Sequence, residues 1–164
     1  MDLQRLLNGI SELGLNLQLP DNLLLPAAPA FLGVQAGQSL NHVTAYGEVL
    51  KDLDFTNAGQ FTIQNALKRI GSTINDDANS PLPENTFCYK TRAGWFNLNP
   101  ALICVIPKES NSLQVIAFAF EGLISQKTAQ KALLRFTQAL TALGIGYTSE
   151  NLIPAGRLDD LRLD

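Results

Sequence analysis

The chain has 164 residues, of which 46% are hydrophobic and 16% are charged, and its formal net charge is −3. This length and apolar content suit one ordinary folded domain and exclude the disordered and fibrous classes. The few Lys and Arg residues are scattered along an acidic chain, so we expect no binding to nucleic acid or to anionic membranes. The scarcity of charged residues favours a surface with apolar patches, which are typical of partner-binding proteins.

The N-terminal segment shows no targeting signal. Its first ten residues include an acid, Asp2, and lack the basic start and apolar core of a secretory signal. The longest apolar stretch, residues 23–34, is interrupted by Pro26 and Pro29 and is too short to span a bilayer as a helix. We therefore expect a cytoplasmic protein.

The first quarter of the chain predicts a helix and an extended arm. The helix is expected to begin near Asp2 and to end at Gly14, because apolar residues recur between them at three- and four-residue spacing. Residues 15–41 carry three prolines and no sustained periodicity, so we interpret them as an extended apolar arm. Its apolar side chains, among them Leu25 and Phe31, must be buried against this chain or against a partner.

The middle of the chain predicts a strand, a helix and three more strands. Residues 42–50 favour a strand by composition but also fit a helical period, and we interpret them as a strand. A second helix is expected over residues 58–74, followed by a loop at 76–85 that contains two prolines. The further strand candidates are residues 86–92, 101–106 and 113–121, and the last two form a predicted hairpin.

The predicted hairpin is apolar on both faces, and strands of that kind are usually covered on both sides of their sheet. Ala117 and Ala119 make one face small enough for a helix to approach closely. The last helix is expected to begin near Ser125 and to end at Gly144. Residues 148–164 are interpreted as a polar tail that is either mobile or docked through its leucines.

These elements predict a single α+β domain over residues 1–164. Its antiparallel sheet of three to five strands is packed by an N-terminal helix, a middle helix and a long C-terminal helix. In element order and acidity the chain is similar to the type III secretion chaperones, which are dimeric α+β proteins that hold extended segments of their cargo. The likeness includes no shared sequence motif.

Residue types that mark common catalytic and cofactor sites are scarce. The chain has one histidine, His42, and contains neither a GxSxG elbow nor a phosphate-binding GxxxxGK motif. On one strand face His42 could join Glu48 and Asp52 as a base or a cation site, but a solvated face is the favoured interpretation. Cys88 and Cys104 lie in apolar strands and suit buried free thiols better than a bridge or a metal site. We predict no catalytic residue, metal or cofactor, and we lean towards a protein that is not an enzyme.

The candidate binding residues are aromatic, basic and apolar. Tyr89, Arg92, Trp95 and Phe96 form a mixture that is typical of binding hot spots. The favoured interpretation is nevertheless that Trp95 and Phe96 cap the core while Arg92 faces water. Leu25 and Phe31 of the arm complete the set.

The sequence favours a non-enzymatic interaction module, a homodimer that holds a protein partner through apolar surface in the manner of a chaperone or adaptor. The alternative is a domain that binds a small apolar or amphipathic ligand between sheet and helices, with weak catalytic potential. Four aromatic residues could line that pocket: Trp95, Phe118, Phe120 and Phe136.

Overall fold

The fold is taken from a computed structural model, which describes residues 6, 42–54, 59–73, 85–93, 99–108, 111–121 and 126–157. Apart from Leu6, which is itself helical, these residues form six strands and two helices. In chain order they are β1 (His42–Lys51), α1 (Gly59–Ile70), β2 (Gly71–Thr73), β3 (Phe87–Ala93), β4 (Asn99–Lys108), β5 (Ser112–Glu121), α2 (Thr128–Ala142) and β6 (Thr148–Arg157). The strands pair in one antiparallel sheet of order β2-β3-β4-β5-β1-β6, with five long strands and the three-residue β2 at one edge.

The predicted packing of a three- to five-stranded sheet by three helices is wrong. Strands dominate the described residues, and the two helices that these residues contain both pack on the same face of the sheet. The helix α2 is not C-terminal either, because β6 follows it and pairs with β1. The element order behind the likeness to secretion chaperones is therefore not the observed order. Neither described helix is long and apolar enough to cross a membrane.

Strand β6 occupies the first part of the segment that the sequence suggested to be a tail. It lies at the edge of the sheet, and most of its side chains are exposed. Pro154 in its middle is tolerated there, since an edge strand does not need every N–H group for pairing. A strand with so few buried positions carries little apolar alternation, which explains why its sequence resembles a tail.

The helices cover one side of the sheet, which we call the helix face. Its sheet residues include Ala101, Ala117 and Ala119, and α2 packs Ala132 and Phe136 against the same core. Small side chains on the strands let a helix backbone approach closely, as the alternation in β5 predicted. The helix-face core is therefore made mainly from the side chains of the helices and of the longer strand residues.

The opposite side of the sheet is also apolar and buried, and we call it the Leu6 face. It spans five strands and consists of Val43, Ala45, Cys88, Leu102, Cys104, Ile106, Ile116, Phe118 and Ile153. Leu6, which is helical and fully buried, packs against it. The prediction that the hairpin strands are buried on both faces is confirmed, because alternate residues of β4 and β5 belong to the two cores. The remainder of the predicted first helix and the arm lie outside the described residues.

The other predicted boundaries agree with the structure in part. Residues 42–50 form a strand, as interpreted, and the three later strands are each observed within two residues of their predicted limits. The helix predicted over 58–74 ends at Ile70, where Gly71 begins β2. A Cβ atom at Gly71 would lie 2.1 Å from the carbonyl oxygen of Lys90, so this close strand pairing requires glycine.

The end of α2 confirms the stop signal at Gly144. This glycine has a φ of 81°, and its N–H bonds to the carbonyl of Thr141. The N–H of Ile145 bonds to the carbonyl of Leu140, and both of these side chains are buried. Together the two bonds form a Schellman motif with its usual apolar contact.

Candidate binding surface

The structure separates the two described members of the predicted binding cluster. Tyr89 is 4% exposed and lies in the helix-face core. Arg92 is exposed, and strand alternation places it on the side of β3 that belongs to the Leu6 face. Trp95, Phe96 and the arm residues Leu25 and Phe31 lie outside the described residues. Tyr89 and Arg92 therefore do not share one surface.

The centre of the Leu6 face is a row of small and medium side chains. Strand pairing aligns Cys88 with Cys104, Cys104 with Ile116, and Ile116 with Gly47. Gly47 is next to Ile153 of β6, and a Cβ atom at Gly47 would lie 3.3 Å from the Cβ of Ile153. Because Gly47 has no side chain, the branched side chain of Ile153 can reach into the middle of the Leu6 face.

A second row of the Leu6 face carries larger side chains. Leu102 of β4 is aligned with Phe118 of β5, and Phe118 is aligned with Ala45 of β1. Phe118 is fully buried, whereas Lys90, the β3 residue aligned with Leu102, is half-buried. The apolar surface therefore has a basic border along β3, formed by Lys90 and the exposed Arg92.

Two buried polar atoms lie at one end of the Leu6 face. Gln114 is aligned with Ile106, and Thr86 precedes β3 with the same parity as Cys88. The Oε1 atom of Gln114 and the Oγ1 atom of Thr86 are buried without a hydrogen-bond partner within the described part of the chain. Such atoms carry a desolvation cost that a donor from a bound group would relieve.

The carboxylates of β1 and its following turn are paired with hydroxyl groups. Tyr46 Oη donates to Glu48 Oε1 at 2.6 Å, and Thr148 Oγ1 donates to Asp52 Oδ2 at 2.8 Å. The hydrogen bond to Glu48, desolvation and the Glu48 charge raise the pKa of Tyr46, so its hydroxyl remains a donor. Among the described residues no three His, Cys, Asp or Glu side chains are grouped to hold a metal, and the side chain of His42 is not described.

Sequence reasoning missed the buried carboxylate that holds the start of α2. Glu121 is 3% exposed, and its Oε1 accepts the N–H of Thr128 at 2.5 Å. Asn99 extends the network by donating to Gln126 Oε1 and to Thr128 Oγ1. A negative charge at a helix N-terminus stabilises the helix, so this cluster has a structural role. The available signal was an acid that ends an apolar strand shortly before a helix.

The aromatic residues proposed for a small-molecule pocket do not face one space. Phe118 lies on the Leu6 face and Phe136 lies on the helix face, and both are fully buried. The sheet separates them. Trp95 is outside the described residues, as is the side chain of Phe120.

Comparison with known proteins gives no relative. No protein-family model matches the sequence, and no curated protein or solved structure matches it significantly. The functional argument therefore depends on the geometry of this chain.

Proposed function

We propose that the protein is a non-enzymatic, cytoplasmic interaction module that forms a homodimer and holds a protein partner through the Leu6 face. The supporting observation is the apolar composition of this face, which extends over five strands of the sheet and against which Leu6 packs. An apolar surface that spans five strands gains free energy when polypeptide covers it. That polypeptide can belong to the same chain, to a second copy or to a partner.

The border of the face indicates the chemistry of a suitable partner segment. The Gln114 Oε1 atom has no hydrogen-bond partner among the described residues, so it can accept a backbone N–H of a segment that crosses this end of the face. Lys90 and Arg92 on β3 favour acidic residues beside the apolar ones. We therefore expect the partner segment to be apolar with an acidic flank.

The proposal predicts that Leu6 competes with a partner for the face. In the full-length protein, Leu6→Asp removes an apolar side chain from the face, so the variant should bind more of an apolar fluorescent dye and associate more strongly than wild type. Leu134→Asp is the matched control, because Leu134 is 54% exposed on α2 and does not belong to either core.

Dye fluorescence and light scattering on the wild type and both variants test this prediction. Circular dichroism and the melting transition show that each variant is folded. Equal dye binding and equal mass for folded Leu6→Asp and Leu134→Asp would contradict a role for the Leu6 face.

A further inference from the structure

Two thiols lie side by side in the central row of the Leu6 face. Cys88 of β3 and Cys104 of β4 are directly opposite in the antiparallel register, and both belong to the same core. Directly opposite residues of antiparallel strands have Cα atoms about 4.5 or 5.5 Å apart. Either separation lies within the range of about 4.4–6.8 Å that a disulfide requires. The backbone therefore already has the spacing of a bridged pair.

Both side chains are buried in the same core and differ slightly in their access to solvent. Both cysteines are free, and Cys88 is 3% exposed whereas Cys104 is fully buried. Burial, together with the neighbouring Cys88 thiol, raises the pKa of Cys104. Cys88 is therefore the thiol that an oxidant meets first, and Cys104 is positioned to react second.

We propose that Cys88 and Cys104 form a reversible thiol pair, which hydroperoxides oxidise by two electrons to a cross-strand disulfide. The Cys88 thiol gives up its proton, the thiolate attacks one peroxide oxygen, and the O–O bond breaks. The leaving oxygen takes up that proton, so the products are a sulfenic acid on Cys88 and water or an alcohol. Cys104 Sγ then attacks the Cys88 sulfur, the S–S bond forms, and the S–O bond breaks. The hydroxide takes the thiol proton and leaves as water. Together the two thiols lose two electrons, and the peroxide gains these two electrons.

A bridge between the two strands opens again by thiol–disulfide exchange. The thiolate of a low-molecular-weight thiol attacks one sulfur of the bridge, the S–S bond breaks, and a second thiol completes the reduction.

The test uses the full-length protein and hydrogen peroxide under native conditions. The sample is quenched, unfolded and treated with an alkylating reagent. The masses of the cysteine-containing peptides are then measured by mass spectrometry. We expect the treated protein to lose two hydrogen atoms per chain and to take up no alkyl group, and dithiothreitol to restore two alkylatable thiols. Since the chain has only two cysteines, any bridge within one chain is the Cys88–Cys104 bond.

Two variants examine the order of reaction. Cys104→Ser should accumulate a sulfenic acid on Cys88 that dimedone captures, whereas Cys88→Ser should leave Cys104 alkylatable after the same exposure. Wild-type protein that retains both thiols, gains oxygen without a bridge, links two chains, or closes the bridge only in denaturant would overturn the proposal. The wild-type measurement is decisive even where a variant fails to fold.

Discussion

The two faces of the sheet reach the same burial with different side chains. On the helix face the central strands alternate alanines with branched residues such as Ile103, and helix residues such as Phe136 add bulk. On the Leu6 face the strands contribute the bulk themselves, as Phe118 and Leu102 show. Both faces are buried, so each depends on polypeptide packed against its strands. On the helix face this polypeptide is α1 and α2, and on the Leu6 face the described part of the chain supplies Leu6.

The largest expected effect comes from removing one large side chain from each face. Phe136 and Phe118 are both fully buried, so Phe136→Ala and Phe118→Ala should each lower the free energy of unfolding by about 3–5 kcal/mol. Urea unfolding of the full-length variants measures both values. If Phe118→Ala cost less than about 1 kcal/mol, the Leu6 face would not be a packed core.

Overpacking distinguishes the faces more sharply. Ala117 is fully buried under the helices, so Ala117→Leu should cost about 1–3 kcal/mol because α2 must move away. Ile116→Leu, on the Leu6 face, keeps the side-chain volume and should cost less than about 1.5 kcal/mol. Thermal melts of the two variants provide the comparison. Equal costs would show that the helices do not approach the alanines as closely as the packing indicates.

The hydrogen bond between Tyr46 and Glu48 tests a polar contribution of β1 beside the helix-face core. Tyr46→Phe should cost about 0.5–1.5 kcal/mol at neutral pH. The folded pKa of Tyr46 is raised above its ordinary value of 10.0, so the folded state holds this proton more tightly than the unfolded state. The contribution is therefore complete below pH 10.0 and is lost as the pH rises through the folded pKa.

Urea unfolding of wild type and Tyr46→Phe between neutral and alkaline pH measures this loss. The stability difference between them should shrink above pH 10.0. Tyr147→Phe is the control, because it removes a hydroxyl beside the same core without breaking the bond to Glu48. A difference that grew with pH would contradict the assigned direction.

The smallest effect is expected at the β6 edge. Lys51 Nζ and Glu150 Oε2 are 2.6 Å apart, but their side chains are 44% and 65% exposed. Solvent screens such a pair, so Lys51→Gln should change the free energy of unfolding by at most about 1 kcal/mol, and by less in high salt. A chemical-denaturation series with and without added salt checks this. A salt-independent loss above that size would mean that the edge contributes to the core.

The central strands and the end of α2 could be predicted from sequence because their signals are local. Uninterrupted apolar residues in β4 and β5 required cover on both faces, and Gly144 marked a helix end. Edge strand β6 could not be recognised in the same way, since its register depends on β1, about one hundred residues earlier in the chain. The capping of α2 by Glu121 was also hidden, because a carboxylate at the end of a strand becomes a cap only once the connection brings it beside the helix.

The candidate surface was predictable only in part. The parity of β3 already separated Tyr89 from Arg92, but the sequence did not show which side of the strand the helices would cover. The pairing of Cys88 with Cys104 depends on the register between two strands, which their apolar sequences leave undetermined.

Native mass spectrometry of the full-length protein, purified gently from its own source, tests the central claim most directly. The proposed use of the Leu6 face predicts a species with twice the mass of one chain, either bare or with an added polypeptide. A single chain with no bound polypeptide across the accessible concentration range would contradict it.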